Sequence, residues 1–114
     1  AGPERGTVAV CLTAEGYTDP LFQGYKSEIC VQATHCDVLV RLPRGREVVH
    51  LASNANTQWQ AFRYGAYLRA VQFHPELKHN ALSDLMDARG VENCQIRPTR
   101  DGSQLLQNWL RLLG

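Results

Sequence analysis

The period of the apolar residues changes once along this chain, and that change limits the folds open to it. Up to Phe73, apolar side chains fall at every second position in short runs. Val8, Val10 and Leu12 share one face of Thr7 to Thr13, and Ile29, Val31 and Ala33 share one face of Glu28 to Thr34. Successive strand residues point to opposite sides, so each run predicts a strand with one buried face. Val48 to Ala52 predicts another short strand. Ala61 to Tyr64 and Tyr67 to Phe73 flank Gly65 and predict a hairpin whose second arm runs into His74. Residues 1–6 read as a flexible lead-in, and Ala14-Glu15-Gly16 and Pro43-Arg44-Gly45 read as turns. Beyond Pro75 the spacing becomes helical: Leu82, Leu85, Met86 and Arg89 line up, with Gly90 as C-cap. Thr99 or Asp101 caps a last helix, in which Leu105, Leu106, Trp109, Leu110 and Leu113 form one wide apolar stripe.

Strands followed by helices predict an α+β domain with a mostly antiparallel sheet. The stripe on the last helix is large for 114 residues and requires a partner layer. That length is enough for one domain. Apolar residues at 44% and charged residues at 20% are ordinary for a globular chain. A net charge of +1 gives no field that would draw a nucleic acid or an anionic membrane, so neither is expected as a partner. Apolar stretches run to about five residues, against the roughly 20 that a membrane span needs. No signal peptide is expected, although the chain starts at Ala1 without a methionine. Cys11, Cys30, Cys36 and Cys94 form no CxxC pair and no zinc-type set with histidine. Free thiols in a reducing cytoplasm are expected, with no metal and no cofactor.

Gln72-Phe73-His74-Pro75-Glu76 is the sharpest feature for chemistry. A strand delivers His74 to a sheet end, and Pro75 breaks the ladder there. Glu76 follows within reach of the imidazole. A carboxylate on one ring nitrogen fixes the tautomer and raises the basicity of the other, which is the base-and-orienter half of a nucleophilic triad. The plain alternative is a strand-end histidine followed by a solvated glutamate.

Four ordered stretches change that balance. The run Ala70 to Glu76 resembles the histidine signature of class I glutamine amidotransferases. His35-Cys36-Asp37-Val38-Leu39-Val40-Arg41-Leu42-Pro43-Arg44-Gly45 resembles their H-x-D-x-V-x-x-L-P-x-G stretch, with Leu39 in place of valine. Val49 to Ser53 and Ala61-Phe62-Arg63 resemble the steps between those two motifs. Gly6 to Phe22 resembles the strand that ends in D-P-L-F, in wording closest to the GMP-synthase-like, stand-alone members.

The resemblance implies an α/β fold, a flavodoxin-like three-layer sandwich represented here by its later strands, a hairpin and the final helices. It implies hydrolysis of glutamine to glutamate and ammonia, with a synthase domain as the acceptor's partner. By it, His74 is the base, Glu76 its orienter, and His35, Cys36 and Asp37 belong to the substrate loop. The family's cysteine sits on a G-x-C-x-G elbow, and no such sequence occurs here. Cys11 and Cys30 lie in alternating strands, and Cys94 follows a helix. Cys36 and His35 are adjacent on extended chain and point opposite ways. The expectation is therefore a C-terminal portion of one amidotransferase domain, inactive alone and lacking its nucleophile-bearing half. Two alternatives stand beside it: a binding or assembly module that reuses the half-fold and self-associates through an open edge and its apolar helix, and a relative of the gamma-glutamyl hydrolases.

Overall fold

The computed structural model describes residues 4–35, 47–66, 68–92 and 94–113. Its five strands are β1 (Glu4–Leu12), β2 (Glu28–His35), β3 (Val48–Ser53), β4 (Ala61–Tyr64) and β5 (Leu68–Val71). They form one antiparallel sheet in the order β2-β1-β3-β4-β5. The described residues also form three helices, α1 (Ala14–Thr18), α2 (His79–Ala88) and α3 (Asp101–Leu113), of which α1 and α3 pack on the sheet, and a 3-10 turn spans Pro20–Phe22. This is a mixed α/β architecture, with strands first and the longer helices last.

The alternation read from the sequence decides which face of the sheet is buried. Val10 lies opposite Ile29 and Val8 opposite Val31 in the β1–β2 register. Val10, Ile29, Val31, Leu51, Ala52 and Ala61 meet Leu21, Phe22, Phe73 and Leu105 in one core. Burying such side chains stabilises by roughly 1.5–3 kcal/mol each.

Three local readings are corrected. Glu4 and Arg5 are not a lead-in but the first residues of β1. The Glu4 carboxylate accepts from Asn54 Nδ2 at 2.7 Å and Gln60 Nε2 at 2.8 Å, contacts remote in sequence. Ala14 to Gly16 is helical, not a simple turn, because Thr13 Oγ1 accepts from Gly16 N and caps the short helix. A Cβ on Gly16 would lie 1.9 Å from Leu51 O, so glycine lets α1 rest on the backbone of β3.

The third correction concerns α3. Leu105 and the partly buried Trp109 face the core, but Leu106 and Leu110 do not, and Leu110 is 67% exposed. Asn108 takes the inward position between them. Its Nδ2 donates to Leu21 O at 2.9 Å and Gln23 O at 3.0 Å, satisfying carbonyls that no leucine could satisfy. Asn108→Leu is therefore expected to lower stability by about 1–3 kcal/mol, measured by urea unfolding, although it widens the apolar stripe. A gain in stability would contradict this packing. The C-terminal end of α2 agrees with expectation: Gly90 follows it at φ 68, the left-handed region where glycine carries no Cβ penalty.

Candidate active site

His74 lies just beyond β5, on chain that leaves the hairpin and crosses to the other side of the sheet. Gln72 N donates to Gln60 O at 2.8 Å, still alongside β4. Two residues later, His74 N donates to Gln32 O at 2.9 Å, on β2. β2 and β5 are the two edges of the sheet, so this bond curls the sheet toward closure. It also gives His74 a main-chain anchor independent of the hairpin.

The imidazole meets the predicted partner. His74 Nδ1 is 2.9 Å from Glu76 Oε2. A carboxylate only accepts, so Nδ1 carries the hydrogen, and in the neutral ring Nε2 is the nitrogen with the lone pair. The side chains are 39% and 56% exposed, so the pair is reachable from solvent.

The pair opens onto a cleft of about 280 Å³. It is lined by Leu77, Lys78 and His79 from the entry to α2 and by Thr99, Arg100 and Ser103 from around the start of α3. Gln32 and Pro75 line it as well. Lys78, His79 and Arg100 line the cleft and are exposed. Among the described residues, no cysteine lines it. Cys11, Cys30 and Cys94 are free thiols.

The residues expected to bind substrate divide differently. His35 is the last residue of β2, opposite Glu4. Cys36 and Asp37 lie outside the described residues, as do Arg41, Arg44 and Arg46. His50, for which the sequence suggests no partner, has two: its Nε2 lies 2.9 Å from Ala52 O and 2.6 Å from Gln58 O. It packs on Trp59 with ring centroids 4.3 Å apart. It is a satisfied histidine that closes the loop between β3 and β4.

Reasoning from sequence missed the supports of the cleft. Gln32 is buried on the sheet face that alternation assigned to solvent. Its Oε1 accepts from Thr7 Oγ1 at 2.8 Å, and its Nε2 donates to Arg97 O at 2.9 Å. Thr99 Oγ1 donates to Cys30 O, and Asp101 Oδ2 accepts from Cys30 N, both at 2.8 Å. Tyr25 donates its hydroxyl hydrogen to Asp101 O. Burial, and then the Asp101 charge, hold the Tyr25 hydroxyl far above its usual range, so it stays a donor. One signal was available: Gly102, a poor helix former, stands in the first turn of α3.

A histidine hydrogen-bonded to a carboxylate beside an open cleft is the arrangement that an oriented general base requires, here on an α/β scaffold. The family model described as glutamine amidotransferase class-I matches residues 3–93. The chain belongs to the class I glutamine amidotransferase family. Proteins similar to it include GMP synthases. The chain is 33% identical over 100 residues to the glutamine-hydrolysing GMP synthase of Christiangramia forsetii, covering 87% of this chain and 16% of that one. It is 36% identical over 91 residues to a glutamine-hydrolysing GMP synthase subunit from Saccharolobus solfataricus, covering 79% of this chain and 42% of that one. The crystal structure of a Thermoplasma acidophilum protein, described as a GMP synthase subunit, superposes with a TM-score of 0.69 at 26% identity, covering 96% of this chain and 44% of that one. The chain thus spans less than half the length of each of these three relatives.

Proposed function

We propose that this chain supplies the histidine–glutamate part of a glutaminase site of the GMP-synthase kind. The carrying observation is the 2.9 Å contact between His74 Nδ1 and Glu76 Oε2 at the cleft, in a chain of this family. The nucleophile is a cysteine on the remainder of the domain, outside these 114 residues. Two observations support that placement: no described cysteine lines the cleft, and the chain matches less than half of the Saccharolobus and Thermoplasma relatives. The exposed Leu106 and Leu110 on α3 fit a face that the remainder of the domain covers.

In that site His74 Nε2 takes the proton of the thiol as sulfur attacks the side-chain amide carbon of glutamine. The imidazolium then returns the proton to the departing nitrogen, and ammonia leaves a thioester. A water attacks the thioester carbon as His74 takes its proton, the C–S bond breaks, and the imidazolium returns that proton to the departing sulfur as glutamate is released. Glu76 accepts from Nδ1–H throughout and stabilises the imidazolium. Ammonia passes to a synthase partner. By the same reading, His35, at the end of β2, and Cys36 and Asp37 contribute to glutamine binding. The free thiols favour a reducing compartment, the cytoplasm.

The test is glutamine turnover by the purified chain and by a fusion carrying the missing half from the Saccharolobus protein. Background activity is expected from the first and clear ammonia release from the second. Turnover by the chain alone that Cys36→Ser abolishes would overturn the assignment of the nucleophile.

A further inference from the structure

We propose that Gly102 is a positioning residue for the His74–Glu76 pair, with the start of α3 acting as a stop against Pro75. A Cβ built on Gly102 would lie 2.8 Å from Pro75 O and 3.2 Å from Pro75 Cα. Pro75 joins His74 to Glu76, so whatever moves its main chain moves both partners of the pair. The atoms met are backbone and cannot swing aside as the end of a flexible side chain could.

Neither side of this contact is free to retreat. The start of α3 is fixed to β2 by Thr99 Oγ1 donating to Cys30 O and by Cys30 N donating to Asp101 Oδ2, both at 2.8 Å. Tyr25 holds Asp101 O as well. His74 is fixed to the same strand through Gln32 O at 2.9 Å. Two elements pinned to neighbouring positions on one strand edge thus meet at Gly102 and Pro75, and the spacing between them sets the turn that carries Glu76 to the imidazole. Glycine in a helix is roughly 1 kcal/mol less favourable than alanine, so a glycine here forgoes helix stability where close approach needs it.

This inference rests on the reading of His74 and Glu76 given above, and its test does not use turnover. Spectra of the 15N-histidine-labelled chain at about pH 9, where imidazoles are neutral, report which ring nitrogen of His74 carries the hydrogen. The Nδ1–H form is expected to dominate. In Gly102→Ala its ratio to the Nε2–H form is expected to fall by about tenfold, the loss of one charge-assisted hydrogen bond, toward the ratio in Glu76→Gln. An unchanged ratio together with a raised melting temperature would show that Gly102 is an ordinary helix residue and overturn the proposal. Should Gly102→Ala fail to fold, Thr99→Val loosens the start of α3 without adding a clash. A smaller fall in the same ratio is expected there, and an unchanged ratio again overturns the proposal. If the fusion with the missing half shows no turnover while the ratio responds as described, the glutaminase reading fails and the positioning role stands.

Discussion

His74→Ala in the reassembled domain is expected to lower kcat for glutamine by about 10³-fold, within the range that a positioned general base contributes. KM is expected to change little, because in the proposed mechanism the imidazole acts on the moving proton and not on the bound amino acid. Glu76→Gln is expected to lower kcat by about 10²-fold. An amide can offer its NH₂ as readily as its oxygen, so it no longer selects the Nδ1–H form. Both effects are read from steady-state ammonia release. A Glu76→Gln enzyme with unaltered kcat would remove the orienter from the mechanism while leaving the base in it.

Asp19→Ala is expected to lower the stability of the chain by roughly 3–5 kcal/mol, measured by urea denaturation, because it leaves buried charge without its counter-ion. Asp19 is 3% exposed and sits between two guanidinium groups. Arg69 Nε is 2.8 Å from Oδ1 and is itself only 7% exposed. Arg63 Nε is 3.3 Å from Oδ2, too poorly aligned for a hydrogen bond, and its side chain is 31% exposed. Most of the effect should therefore come from Arg69. Arg63 and Arg69 stand directly opposite each other in the β4–β5 hairpin, where like charges repel. Asp19 Oδ1 also accepts from Leu21 N at 2.9 Å and starts the 3-10 turn. A loss below about 1 kcal/mol would mean that solvent screens this cluster as it does surface pairs.

What the sequence revealed and what it hid have separate physical causes. The strands were legible because Val8, Val10, Ile29 and Val31 must all face one core, and alternation records that demand. His74 and Glu76 were legible because Pro75 forces the turn between them within a few residues. The start of β1 was hidden because Glu4 is polar, and its burial depends on Asn54 and Gln60, some fifty residues away. Gln32 was hidden for the same reason: its partners, Thr7 and Arg97, come from both ends of the chain. The apolar stripe of α3 misled because periodicity counts leucines and does not see the carbonyls of Leu21 and Gln23 that draw Asn108 inward.

The β4–β5 hairpin has one more consequence, for engineering. Its tip at Tyr64 and Leu68 is exposed, and nothing lies within 4 Å of a Cβ placed on Gly65. The Asp19 clamp grips the hairpin just below that tip, and His74 takes its register from β2. The two arms are thus fixed from outside themselves. Added residues at Gly65 would extend into solvent without being transmitted to the imidazole, so this turn offers a permissive insertion point for a reporter or an affinity handle.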